Sequence, residues 1–326
     1  MKSRNNFKYQ VCSLWPEIGD DACFKLQSSG TTNRIFRIQC SQVFFLRQYR
    51  ALSVEQIERE HELLIALAEN FKSIIVPILN CRGSSFSKIG TETYALFPAA
   101  KGVLLNKNKL SELHAHNLGE FLAKLHLQLA SVDGSAFPSI NLCWDKDDWV
   151  KRFQKIITII EADKVNDLDG SILRRVKQQR NYLASPESDH SFTPYTQRQL
   201  IHGDYHHFNV FFDTDGTVSD VIDWDLLQNM PPAYELARAC MYIFDMEANK
   251  SLAFLKGYLS VNKLSKYELN DGAKAWAIFA DHNVWALEEV FIKNNIEAKK
   301  FIPETNFIPF MDQWSKLADA LKFDTI

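Results

Sequence analysis

The sequence predicts an α+β protein of two lobes, a small β-rich lobe over residues 1–98 and a larger helical lobe over residues 99–326. Three observations carry that prediction. Short apolar runs surround one amphipathic helix in the first hundred residues, helical spacing dominates from Pro98 onward, and a single strand-like island near residues 199–224 interrupts the helices.

The elements follow in order. Ser28-Ser29-Gly30-Thr31-Thr32-Asn33 is a turn cluster, and Arg34 to Ile38 after it alternates polar and apolar as a half-buried strand does. Val43 to Tyr49 is a second strand, and the pair reads as an antiparallel hairpin. Ser53 caps a helix that gathers Ile57, Leu63, Leu64 and Leu67 on one face, with Glu55 and Glu58 early, where the helix dipole favours them. Ile74 to Leu79 and Tyr94 to Phe97 are expected to be strands, and Pro98 to Lys101 the hinge. Helical spacing then marks Leu113–Leu129, Trp149–Ala162, Ile172–Leu183, Leu252–Leu259, Ala273–Lys293 and Phe310–Leu321.

Composition removes several function classes. With 37 basic and 40 acidic residues and a net charge of −3, the chain has no field for binding DNA or RNA non-specifically. Its 12 glycines include no G-x-G, which excludes the Rossmann fingerprint and the Walker phosphate loop. No apolar run approaches a membrane span and the N-terminus has no signal-like core, so a cytoplasmic protein without membrane contact is expected. Six cysteines without a C-x-x-C pair are expected to be reduced and mostly buried.

Polar chemistry concentrates in the island. His202-Gly203-Asp204 is followed by Asn209 between apolar runs, and Val221-Ile222-Asp223-Trp224-Asp225 comes after an Asp215-Gly216 turn. Carboxylates beside β-structure require cations or hydrogen bonds to offset their burial. A hairpin that sets Asn209 beside Asp223 offers two oxygen ligands, which suits Mg²⁺ held jointly by protein and phosphate oxygens. Asp204 stays outside that shell, free to take a proton from an attacking hydroxyl. This division of labour is that of phosphoryl transfer. His202 reads as a structural residue of the loop.

These residues resemble the signature of the aminoglycoside phosphotransferase and choline kinase superfamily, including relatives of the homoserine kinase II type, whose fold is that of the protein kinases. The resemblance extends over nearly the whole chain. It implies a phosphate-covering loop at Ser29, Gly30, Thr31 and Asn33, with Arg47 at the position of the usual third-strand lysine and Glu60 as its helix-borne partner. It also implies an adenine-contacting linker beginning at Leu96 and Phe97. Leu118 to His126 is similar to the family's leading helix of the second lobe, and Ala233 to Ala237 to the segment after the metal-binding aspartate, with Glu235 where Asp is usual.

The expected activity is ATP- and Mg²⁺-dependent transfer of the γ-phosphoryl group to a hydroxyl of a small molecule: an amino alcohol, a homoserine-like or an aminoglycoside-like acceptor. A protein Ser/Thr kinase of the same fold and a non-catalytic nucleotide-binding module remain as alternatives. Asp204 is the expected catalytic base, Asn209 and Asp223 the expected metal ligands. For the acceptor, Asp281 and Trp285 are candidates, because Asp281, Trp285 and Glu288 fall at i, i+4 and i+7 of one expected helix and so share a face, and Asp225 is a further candidate, with metal binding or a strand-terminal turn as its alternative roles. Core packing of Trp276 and Trp285 is the competing reading. Oligomeric state is not encoded in these patterns.

Overall fold

The structure is a computed structural model, and it describes residues 2–27, 33–162 and 170–321, with side chains from residue 6 onward. In chain order the elements begin with α1 (Lys2–Leu14), β1 (Cys23–Gln27), β2 (Arg34–Gln39), β3 (Val43–Tyr49), α2 (Val54–Ala68), β4 (Ser87–Ile89), β5 (Glu92–Pro98) and β6 (Val103–Leu104). There follow α3 (Glu112–Leu129), α4 (Lys146–Ala162), α5 (Ser171–Ala184), β7 (Gln199–Ile201), β8 (Val210–Phe212), β9 (Val218–Val221) and β10 (Gln228–Met230). The chain ends in α6 (Pro232–Phe244), α7 (Ala248–Val261), α8 (Lys266–Asp281), α9 (Trp285–Phe291) and α10 (Phe310–Ala320). The class is α+β, with sheet in the N-terminal region and helices in the C-terminal one. Two compact units contain these elements: Met1–Leu110 with Asp204–Leu226, and Ser111–Gly203 with Leu227–Ile326.

In the first unit, a five-stranded antiparallel sheet runs in the order β1-β2-β3-β5-β4. Strand period two gives β3 two distinct faces. Phe44 and Leu46 join Ile38, Tyr94 and Leu96 against Val11, Cys12 and Trp15 of the α1 segment, whereas Tyr49 and Ala95 pack with Ile57 of α2. Arg47 shares the parity of Tyr49, and it is thereby carried on the α2 side of the sheet. Helix α2 starts where Ser53 predicts it: the hydroxyl accepts the N–H of Gln56, and the Gln56 side chain accepts the N–H of Ser53, a capping box. A second sheet, β6-β8-β9, carries the island residues.

The second unit is helical apart from the two-stranded β7/β10 ladder. Helices α3 and α7 pack closely because Gly119 leaves room for backbone: a Cβ there would lie 2.0 Å from the carbonyl oxygen of Phe254. Phe153, Ile156 and Ile160 of α4, Ile172 and Val176 of α5, and Leu287 and Val290 of α9 form a separate core. Among the described residues no helix is long and apolar enough to cross a membrane.

Three expectations are corrected, and two elements are added. Residues 74–79 form no strand but two isolated bridges, Ile74 to Val221 and Ile78 to Leu96, because Pro77 cannot donate to a ladder. The expected helix over 273–293 breaks at 282–284. The carbonyls it frees are taken: Gln179 Nε2 donates to those of Asp281 and Asn283, and Trp149 Nε1 to that of His282. Of the cysteines, Cys12 and Cys240 are buried, whereas Cys23, Cys81 and Cys143 are exposed, and all are free thiols. Finally, β1 and α1 have no counterpart in the sequence reading.

Candidate active site

Arg47 is the hub of the first unit. Its guanidinium lies 3.0 Å from Asp223 Oδ1, 2.5 Å from Asp225 Oδ2 and 3.6 Å from Glu60 Oε1, and it sits 4.8 Å from the centre of the Tyr49 ring. Strand β3 supplies the arginine, α2 the glutamate, and the segment after β9 both aspartates. Burial works against the guanidinium's charge, but Tyr49, Asp225, Glu60 and Asp223 together hold its pKa above the usual arginine range. The Glu60 carboxyl is displaced the other way, up to about 8, because burial outweighs the attraction of Arg47 and the two aspartates add like charge. Arg47 also depresses the buried His61, after burial itself, to about 4. His61 bonds the Tyr49 hydroxyl at 2.8 Å and the Ser85 hydroxyl at 2.8 Å.

Asp204 lies in the loop between β7 and β8. Asn209 Nδ2 donates to both its carbonyl and its carboxylate at 3.0 Å, and His206 Nε2 stands 3.3 Å from the same carboxylate. These donations consume the amide nitrogen of Asn209 and leave its oxygen as the group for a cation. The backbone then joins this residue to the segment of Asp223: the N–H of Ile222 donates to the Asn209 backbone carbonyl at 3.0 Å, and Asp223 comes next in sequence. Asp223 adopts a left-handed backbone, φ +67°, which aspartate tolerates better than most side chains do. That turn leaves its side chain 44% exposed, while Asp225 stays at 13%.

A divalent, oxygen-seeking ion fits this donor set. Two aspartates face one guanidinium beside Glu60, whose charge burial disfavours, and Asp225 Oδ1 is buried without a hydrogen-bond partner. Extra positive charge beside Asn209 and Asp223 offsets that excess. Among the described residues no group of three or more His, Cys, Asp or Glu side chains could hold a metal, so the set depends on the asparagine.

His202 and Gly203, which precede Asp204 in sequence, are anchored by residues of their own unit. Glu235 on α6, fully buried, accepts the N–H of His202 at 3.1 Å and of Gly203 at 2.6 Å, and also bonds His126 Nε2 at 2.9 Å. His126 in turn meets the Tyr258 hydroxyl. Burial pushes the Glu235 carboxyl up, but the His126 hydrogen bond, with the charges of His126, His202 and Arg238, brings it below the ordinary carboxylate range. Gly203 has φ +79°, a conformation that admits glycine without strain.

The other expected residues are distributed as follows. Ser29, Gly30 and Thr31 lie outside the described residues. Asn33 is buried, its Nδ2 donating to Asp225 Oδ2 at 2.6 Å and its Oδ1 accepting the N–H of Arg50. Leu96 is a core residue opposite Leu46, its carbonyl already accepting from Ile78, and Phe97 pairs with Phe45. Asp281 is buried at the end of α8 and accepts the N–H of Phe310, whereas Trp285 begins α9, is 44% exposed and contacts Phe301. The helix break removes the common face expected for Asp281, Trp285 and Glu288. Glu288 is instead taken by a two-pronged bond to Arg152. The link between Asn33 and Asp225 was missed in the sequence, because the two residues are 192 positions apart.

A family model described as the phosphotransferase enzyme family matches residues 24–267. The chain belongs to that family. Among solved structures, this phosphotransferase family member is similar to a spectinomycin phosphotransferase in complex with ADP and spectinomycin, with TM-score 0.63, 16% identity, and 92% of this chain and 93% of that one covered. It is similar to an amicoumacin kinase solved with AMP-PNP and Ca²⁺, with TM-score 0.58, 14% identity, and coverage of 96% and 99%. A third likeness is to an aminoglycoside phosphotransferase holding GDP and kanamycin, with TM-score 0.58, 15% identity, and coverage of 95% and 99%. At such identities these likenesses speak for the fold. No curated protein matches the chain significantly.

Proposed function

We propose that this family member transfers the γ-phosphoryl group of ATP to a hydroxyl of a small molecule in the cytoplasm. Residues 1–98 supply the nucleotide contacts, and residues 99–326 the catalytic loop and the acceptor side. The observation that carries the reading is Asn209, whose side-chain Nδ2 donates to Asp204 while its backbone carbonyl accepts the N–H of Ile222, one residue before Asp223. One asparagine thus sets the distance between a base and a metal ligand.

In this reading the acceptor hydroxyl donates its proton to the Asp204 carboxylate as its oxygen bonds to the γ-phosphorus, and the bond from that phosphorus to the β,γ-bridging oxygen breaks, releasing ADP. Asn209 and Asp223 would hold Mg²⁺, which would supply positive charge for the phosphate oxygens. Arg47 binds the same phosphates with a planar fork of donors. His206 and Asn209 keep the Asp204 carboxylate oriented. Catalysis of this kind is positioning and charge stabilisation, so each of these groups is expected to affect turnover strongly.

The acceptor is a hydroxylated small molecule of the amino alcohol, homoserine or aminoglycoside kind, and exposed Trp285 is our candidate contact for it. The experiment is a screen for acceptor-dependent ADP formation over a panel of such alcohols. ADP that rises with one acceptor class supports the reading. ADP formation indifferent to every acceptor, or none at all, counts against it.

A further inference from the structure

Arg47 stands among three carboxylates, and they do not hold it equally. Glu60 is at 3.6 Å, beyond hydrogen-bond distance, and its Oε2 is buried with no partner. Asp223 is at 3.0 Å, but its side chain is 44% exposed, and it is the residue assigned to the metal. Asp225 is the nearest of the three at 2.5 Å, and its side chain is 13% exposed. Asp225 is also the one held from a second side: buried Asn33, at the entry to β2, donates to Oδ2 at 2.6 Å, the same oxygen that faces Arg47. Asn33 is in turn fixed by the N–H of Arg50, just past the end of β3.

From this we infer that Asp225, oriented by Asn33, is the principal positioning residue for Arg47, with Glu60 in a lesser role. The inference rests on the proposed phosphotransfer reading. A divalent ion on Asp223 competes with Arg47 for that carboxylate, since one oxygen pair cannot satisfy both at full strength. Asp225 is then the carboxylate that keeps the guanidinium beside the metal side of the site. Asn33 acts through this carboxylate: without its donation Oδ2 is free to rotate away from Arg47. The chain of contacts runs from Asn33 to Asp225 to Arg47, and from Arg47 to the phosphates.

The test is AMP-PNP·Mg²⁺ binding by titration calorimetry with wild type, Asp225→Asn, Glu60→Gln, Asn33→Ala and the double variant Asn33→Ala with Asp225→Asn, each checked by a thermal melt. Asp225→Asn is nearly isosteric and keeps an acceptor for Asn33, so it guards against loss of the fold. The expected result is that Asp225→Asn weakens nucleotide affinity about tenfold or more and Glu60→Gln only a fewfold, with Asn33→Ala weakening wild type but adding little to Asp225→Asn, as residues acting in series do. In turnover the ATP KM rises while the acceptor KM does not, a split that general destabilisation would not produce. Glu60→Gln weakening affinity as much as Asp225→Asn, or Asn33→Ala having the same effect in both backgrounds, overturns the inference and leaves the phosphotransfer reading standing. Wild type that binds no nucleotide overturns both.

Discussion

Glu235 accepts the backbone N–H of Gly203 at 2.6 Å, one residue before Asp204, the base in the proposed reaction, and so Gly203 is tied to helix α6 by a buried carboxylate. Replacing it by Gln turns an acceptor into a partial donor facing two N–H groups. Glu235→Gln is therefore expected to cost about 2–4 kcal/mol of stability, the range for leaving buried charge-assisted hydrogen bonds unmade. It should also lower kcat with little change in ATP affinity. A denaturant titration and steady-state kinetics read both effects. Because the folded-state pKa of Glu235 lies below the unfolded value, its stabilisation is present above the ordinary carboxylate range and is lost as pH falls through the folded pKa.

Arg47 is the second point of leverage. An ammonium cannot reach Glu60, Asp223 and Asp225 with the geometry of a planar fork. We expect Arg47→Lys to raise the ATP KM about tenfold while the protein stays folded. Arg47→Ala abandons three carboxylates to one another and should destabilise by about 3–5 kcal/mol, as removal of one partner of a buried pair does. Thermal melts of the two variants side by side distinguish the two outcomes.

How much of this was legible in the chain varies by element, and the reasons are physical. The β2/β3 hairpin and α2 announce themselves through short apolar runs and through Ser53 followed by Glu55 and Glu58, local signals that tertiary context reinforced. By contrast β1 is an edge strand with Leu26 more than half exposed, so it lacks the buried face that produces alternation. Helix α1 offers few apolar side chains, and its Val11 and Cys12, with Trp15 just after it, become a face only against the sheet. The break after Asp281 depends on Gln179 and Trp149, more than a hundred residues upstream, which no local pattern contains. Asp204, Asn209 and Asp223, the residues of the proposed reaction, stand out by their spacing, and the family resemblance points to the pairing of Arg47 with Glu60. The nearer partner, Asp225, was read as an acceptor contact, because nothing in the sequence says that Asn33 reaches it.

Asp281 supplies a pH signature that is separate from catalysis. Burial pushes its carboxyl up to about 7, against an ordinary 3.8, although the N–H of Phe310 and the charge of Arg175 oppose the rise. The folded state therefore binds the extra proton between those values, and stability falls as pH rises from about 4 towards 7. Asp281→Asn keeps the oxygen that accepts from Phe310 and has no proton to lose. Its unfolding free energy, read by denaturant titration, is expected to match wild type near pH 3 and to exceed it at pH 8, by roughly 4 kcal/mol if each pKa unit counts about 1.4 kcal/mol.

Close packing of α3 on α7 makes a further prediction. A methyl at Gly119 would meet the carbonyl of Phe254 at 2.0 Å and the N–H nitrogen of Tyr258 at 2.8 Å, so the helices must separate. Gly119→Ala is expected to destabilise by about 1–3 kcal/mol despite alanine's better helix propensity. Because Tyr258 bonds His126, which bonds Glu235, a fall in kcat should accompany the fall in melting temperature.

The central claim is that Asp204 and Asp223 divide the work of phosphoryl transfer to an acceptor. The most direct measurement follows the labelled γ-phosphoryl group of ATP into an acceptor identified by the screen, in wild type, Asp204→Ala and Asp223→Ala. The account predicts transfer by wild type and a loss of at least about a hundredfold in each variant, the scale of losing a general base or an electrostatic stabiliser. Equal transfer by all three proteins would contradict it.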